Sequence, residues 1–291
     1  MFTGSLVALV TPMSGDGRID TACLERLIDW HIEQGTAALV VAGTTGESAT
    51  LEKTEHIEML RAVATYADGR IPIIAGTGSN STRQTIELSR AVDHLAIAAF
   101  LIVTPYYNKP TQEGLCQHFQ AIADAVDKPV MLYNVPGRTA VDLLPETVAR
   151  LAEHERIFGI KEATGDLSRV AVIRDGCGEG FALYSGDDAT CREFMLRGGQ
   201  GVVSVTSNVA PRLMADMCTA AIAGDAGSAE EIDARLRDLH HDLFIESNPI
   251  PVKWALERMG LISEGLRLPL TRLTEANQPA VEAALAKAGV L

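Results

Sequence analysis

With 291 residues, 47% of them hydrophobic, and a formal charge of −13, the chain can bury the core of one large domain. An acidic balance with no basic block argues against nucleic acid and anionic membranes as partners, and the longest apolar stretch, Leu95 to Val103, is too short to span a bilayer. The opening Met1-Phe2-Thr3-Gly4-Ser5 has no basic leader pattern, so the expected location is cytoplasmic.

Short apolar runs suited to strands recur along the chain, each followed by a segment of helical period, which is the pattern of βα units around a parallel sheet. There are eight: Leu6 to Val10, Ala37 to Ala42, Ile71 to Ala75, Ala99 to Val103, Val130 to Asn134, Phe158 to Lys161, Ala182 to Ser185 and Gly201 to Val205. The first intervening helix, Leu24 to Gln34, puts Leu24, Leu27, Ile28 and Ile32 on one stripe and stops at Gly35. Ser81 with Gln84, and Thr190 with Glu193, match the capping box, and Pro145 followed by Glu146 suits a helix's first turn. Eight such units predict a (β/α)8 barrel, with its active site at the C-terminal ends of the strands. The expected division is a barrel over residues 1–224 and a helical extension over 225–291, with helices at Ala229 to Ile245, Val252 to Met259 and Pro279 to Ala288.

Five cysteines, Cys23, Cys116, Cys177, Cys191 and Cys218, are scattered without zinc spacing and read as reduced structural thiols. Gly76-Thr77-Gly78-Ser79-Asn80-Ser81 resembles the start of a dinucleotide loop but ends in serine and lacks the following ribose-binding acid, so a turn is expected and no NAD. Asp187 and Asp188 precede a helix and read as caps. His240 and His241 read as a solvated helix face, without a partner at metal spacing.

Lys161 differs from the five other lysines in following an apolar strand, Phe158-Gly159-Ile160. A buried amine loses solvation for its charged form, and the neutral form can attack a carbonyl. Tyr133 ends the preceding strand at similar depth, about 5 Å away across the sheet, where a phenol can carry protons. Glu162 has the opposite strand parity and should face the helices. Thr44 and Thr45, in the turn Gly43-Thr44-Thr45-Gly46-Glu47-Ser48, offer hydroxyls and amides suited to a carboxylate. Arg138, after Pro136-Gly137, offers a bidentate fork for a second one. Imine formation needs such an amine, shuttle and anchors together.

That turn, with Tyr133-Asn134-Val135-Pro136-Gly137-Arg138-Thr139 and Gly159-Ile160-Lys161-Glu162-Ala163-Thr164-Gly165, resembles the dihydrodipicolinate synthase family, and the likeness runs from Phe2-Thr3-Gly4-Ser5 to Asn248-Pro249-Ile250-Pro251-Val252-Lys253. The resemblance implies condensation of pyruvate with L-aspartate 4-semialdehyde in lysine biosynthesis, without metal or organic cofactor. It implies that Lys161 forms the imine and that Tyr133, Thr44 and Tyr107 relay protons, Tyr107 reaching a neighbouring subunit's site. It further implies that Thr45 holds the pyruvate carboxylate, Arg138 the semialdehyde carboxylate, and that Gly186 and the Val203 carbonyl line the pocket of a homotetramer built as a dimer of dimers. N-acetylneuraminate lyase and 2-keto-3-deoxy sugar-acid aldolases share the fold and lysine, so a sugar-acid aldolase is the alternative, and a keto-acid-binding barrel a more distant one. Arg138 discriminates against the aldolases, and the proton relay against a mere binder.

In feedback-inhibited relatives a lysine pocket uses positions matching Ser48, Ala49, Lys53, His56, Asn80, Gln84 and Tyr106, with histidine where Lys53 stands and glutamate where Gln84 stands. Both departures remove attraction for an inhibitor's ammonium group, so weak inhibition by L-lysine is expected.

Overall fold

The computed structural model describes residues 2–291. Eight parallel strands close into a barrel in chain order: β1 (Gly4–Ala8), β2 (Ala38–Val41), β3 (Ile73–Gly76), β4 (Ala99–Val103), β5 (Val130–Asn134), β6 (Ile157–Glu162), β7 (Ala182–Ser185) and β8 (Gly201–Ser204). The sequence expectation holds for all eight. The first strand starts and stops two residues earlier than expected, because Gly4 and Ser5 pair with Gly201 and Val202 to complete the closure between β1 and β8.

Strand alternation divides the apolar residues into two layers. Leu6, Val40, Leu101, Met131 and Tyr184 fill the barrel, while Val7, Leu39, Phe100, Leu132 and Leu183 face the helices. The rings of Phe2 and Phe158 meet edge to face, 6.0 Å between centroids, and the Tyr184 hydroxyl donates to the Phe2 carbonyl. These groups lie toward the N-terminal side of the strands, leaving the opposite mouth for polar groups. Past the barrel helix Pro211–Ile222, the helices Ala226–Asp242, Ile250–Arg258 and Gln278–Ala288 add Leu236, Val252, Leu256 and Leu285 to the outer apolar layer. No helix is long and apolar enough to cross a membrane among the described residues.

Helix starts follow the sequence in part. Ser81 Oγ accepts from the Gln84 amide, and Pro145 takes the first helical position. Thr190 makes no side-chain cap. Asp187 displaces it, accepting from both the amide and the hydroxyl of Thr190, because a carboxylate is the stronger acceptor. Asp188 does not cap either: it is buried and accepts from the amides of Val205 and Thr206 just past β8.

Candidate active site at the strand C-termini

Tyr133 and Lys161 occupy paired register positions on β5 and β6. The Lys161 ammonium lies 4.2 Å from the centroid of the Tyr133 ring, and the residue is only 6% exposed. Lys161 forms no ion pair with any described residue, and its side chain rests against Gly186: a Cβ there would lie 2.9 Å from Lys161 Cε and 2.6 Å from Ala163 Cβ. Glycine at this position is therefore what gives the lysine its channel. Glu162, one residue on, points outward as its parity requires, pairing with Arg169 at 3.1 Å and with the Asn134 amide. Arg169 also pairs with Asp142, so the carboxylate nearest in sequence to Lys161 is neutralised by another cation.

The loop after β2 is a tight turn, in which Gly46 N–H donates to the Gly43 carbonyl and Glu47 N–H to the Thr44 carbonyl. Ala42 and Glu47 flank it with positive φ of 56° and 58°, conformations that side-chain-bearing residues adopt only where surroundings enforce them. The enforcing groups are visible. Buried Glu47 pairs with the ammonium of Lys253, which also donates to the Thr11 carbonyl at 3.0 Å, and its other oxygen accepts from the Arg267 amide at 3.1 Å. Arg267 in turn pairs with Glu55 and donates to the Thr50 and Gly17 carbonyls. Burial lowers the Lys253 pKa, and the Glu47 charge opposes that shift.

Thr44 and Arg138 line one cavity of about 200 Å3 together with Val135 and Tyr106. Thr45 is buried beneath it, its hydroxyl accepting from the Asn248 side-chain amide at 2.9 Å. Arg138 is exposed on the short helix Pro136–Thr139 and donates to the Asn248 carbonyl at 3.2 Å. Val203, on β8, lies in the same inner apolar layer as Tyr133. Tyr107 is 88% exposed with φ 73°, and with Tyr106, Lys109 and Arg138 it borders an open surface hollow. A neighbouring cavity of about 480 Å3 gathers Ser48, Ala49, Lys53, His56, Gln84 and Tyr106. Asn80 is tied to that group by donating to the Tyr106 carbonyl at 3.2 Å, and Lys53 lies 3.4 Å from Glu87.

Sequence reasoning missed two sets of buried polar groups. Lys253 falls inside the predicted helix Val252 to Met259 and Glu47 inside the turn Gly43 to Ser48, and the sequence reading pairs neither with the other. The signal was Ile250-Pro251-Val252-Lys253-Trp254, a cation inside an apolar run. His240 is buried, not solvated: Nδ1 meets the Thr206 hydroxyl at 2.9 Å and Nε2 lies 3.5 Å from Asp233. Its spacing from Leu236, Leu239 and Leu243, all buried, marks that helix face. His241 is exposed, as expected. The dinucleotide-like loop is a close strand approach, for a Cβ on Gly78 would lie 2.6 Å from the Val103 amide nitrogen. Among the described residues no three His, Cys, Asp or Glu side chains are grouped to hold a metal.

An unpaired amine in a dry barrel, a phenol beside it and a polar turn at the same mouth define a lyase that works through a Schiff base. The model of the dihydrodipicolinate synthetase family matches residues 1–288. The 4-hydroxy-tetrahydrodipicolinate synthase of Methylococcus capsulatus is 63% identical over 291 residues, covering all of both chains. The chloride-inhibited dihydrodipicolinate synthase of Acinetobacter baumannii, solved with pyruvate, superposes with a TM-score of 0.98 at 53% identity over all of both chains. A monomeric dihydrodipicolinate synthase variant superposes at 0.96 and 41% identity, covering 100% of this chain and 98% of that one. The chain belongs to the dihydrodipicolinate synthetase family, and the resemblance drawn from its motifs is borne out.

Proposed function

We infer that the chain condenses pyruvate with L-aspartate 4-semialdehyde to 4-hydroxy-tetrahydrodipicolinate through an imine on Lys161. The observation that carries this is the buried Lys161 beside Tyr133 in a family member of 63% identity to a synthase. The amine attacks C2 of pyruvate, and loss of water from the carbinolamine needs a proton delivered to the departing hydroxyl. Loss of a C3 proton then gives an enamine whose C3 bonds to the aldehyde carbon. The semialdehyde's own amine replaces Lys161 at C2, closing the ring and freeing the enzyme.

Tyr133 handles those protons, with Thr44 and a partner copy's Tyr107 as the remaining relay, a reading supported by the Tyr133 ring lying 4.2 Å from the Lys161 nitrogen. Tyr107, 88% exposed in its own chain, is free to meet a partner copy, and the family resemblance extends this to a dimer completed by Tyr107 exchange and a dimer of dimers. Thr45 takes the pyruvate carboxylate and Arg138 the semialdehyde carboxylate, while Gly186 and Val203 shape the pocket. Free cysteines, mostly buried, and a biosynthetic role favour the cytoplasm. At the neighbouring cavity Lys53 and Gln84 favour weak inhibition by L-lysine, tested by titrating turnover with L-lysine.

Borohydride reduction in the presence of pyruvate, with peptide mapping and a coupled assay on the semialdehyde, tests the central reading. An adduct on Lys161 with turnover supports it. An adduct without turnover moves the second substrate to a sugar-acid aldehyde, and no adduct overturns the imine.

A further inference from the structure

One residue of the C-terminal extension touches both carboxylate-binding groups at once. Asn248 is 6% exposed; its side-chain Nδ2 donates to Thr45 Oγ1 at 2.9 Å, and its backbone carbonyl accepts from Arg138 Nη2 at 3.2 Å. Five residues on, Lys253 grips Glu47, two residues after Thr45. The strap from Asn248 to Lys253 is thus pinned across the barrel mouth at both ends.

A threonine hydroxyl has a single proton and two lone pairs. Asn248 spends an N–H on one lone pair of Thr45, and no described residue accepts the Thr45 proton. The hydroxyl must therefore point its proton away from Asn248, presenting Thr45 as a donor, which suits an anionic carboxylate and opposes a cation. At Arg138, one guanidinium N–H goes to the Asn248 carbonyl, which holds the fork on the rim while leaving its other donors for a carboxylate. The remaining Asn248 atom, Oδ1, is buried without a partner. A residue kept buried with an unsatisfied acceptor costs stability, so its retention calls for a role other than folding.

We propose that Asn248 is a positioning residue for substrate carboxylates: it polarises the Thr45 hydroxyl toward pyruvate and tethers Arg138 for the second substrate. The proposal rests on the imine reading above. It predicts that Asn248→Asp, of nearly the same shape but able only to accept when ionised, turns the Thr45 proton toward itself and presents a lone pair to pyruvate. Asn248→Ala merely frees the hydroxyl.

The test is the pyruvate dependence of borohydride trapping on Lys161, run on the full chain beside steady-state kinetics and thermal melting. The expected result is a rise in half-saturating pyruvate of roughly tenfold for Asn248→Ala and more for Asn248→Asp, with kcat at saturation within a few-fold and a melting temperature lowered in the Asp variant by its buried charge. Combined with Thr45→Val, Asn248→Asp should add little further loss in pyruvate binding, because both act through one hydroxyl. If trapping proceeds in the unaltered protein and in both variants with the same pyruvate dependence, the proposal is overturned alone. A loss in the Asp variant confined to melting temperature and kcat overturns it as well, and additive losses in the double variant do the same. Absence of an adduct in the unaltered protein overturns the imine reading and the proposal with it.

Discussion

Lys161 and Lys253 are buried almost equally, at 6% and 5% exposure, yet the chain treats them in opposite ways. Lys253 is held by Glu47 and the Thr11 carbonyl, whereas Lys161 has no counter-charge and faces a phenol. Burial alone does not make an amine reactive. A paired ammonium stiffens what it joins, and an amine without a counter-charge is left free for chemistry.

The widest separation between them should come from removing each in turn. Lys161→Ala should abolish trapping and lower turnover by at least roughly a thousandfold while leaving the melting temperature little changed, since Lys161 forms no ion pair with any described residue. Retained turnover in the coupled assay would break the comparison at its reactive end.

Two further buried bases, His31 and His118, each meet a threonine hydroxyl at 2.9 Å and no counter-charge, and they show what burial of a neutral base does to the fold itself. Burial lowers their pKa values to about 3 and about 4, while the unfolded chain protonates both near 6.5. Between these limits the unfolded state binds more protons, so stability is intact above about 6.5 and falls as the pH drops. At roughly 1.4 kcal/mol per pH unit for each group, the loss by pH 4.5 is roughly 5 kcal/mol, readable in urea titrations from pH 7 downward. A flat profile, or one restored by neither His31→Gln nor His118→Gln, counts against neutral burial.

Lys253→Met leaves Glu47 buried without its cation and should cost about 3–5 kcal/mol, measured by urea unfolding. Replacing both partners, with Glu47→Leu added, should recover much of that loss in stability while activity stays low, because the Thr44–Thr45 turn loses its anchor. A single variant as stable as the original would mean that the pair holds nothing. The smallest effect expected is at Gly186→Ala, where overpacking of about 1–3 kcal/mol pushes the Lys161 side chain and should reduce kcat roughly tenfold with pyruvate trapping still observable. An unchanged kcat would show that the channel is looser than the 2.9 Å approach indicates.

The barrel and the burial of Lys161 beside Tyr133 were legible because both depend on local pattern. Each strand is a short apolar run, and Lys161 breaks such a run at its end, where parity and depth place it beside Tyr133. Lys253 breaks an apolar run much as Lys161 does, but its partner Glu47 lies 206 residues away; Asn248 and Arg267 carry no such mark, and their partners Thr45 and Glu55 lie 203 and 212 residues away. His240 was misread for a different reason: its neighbour His241 suggested a polar face, while Leu236, Leu239 and Leu243 set its true orientation. At Thr190 a motif was present and lost to Asp187, a competition between acceptors that spacing cannot rank.

Glu47 and Lys253 are 206 residues apart, which has a consequence for how the protein is made. At a synthesis rate of about 5–20 residues per second, the turn carrying Thr44 and Thr45 leaves the ribosome roughly 10–40 seconds before the cation that locks it. The strands β3 to β8, with Tyr133 and Lys161, emerge within that interval. A growing chain can thus hold Lys161 and Tyr133 in place while the Thr44–Thr45 turn still lacks its anchor, and on the roles proposed above competence arrives only with the final stretch of translation.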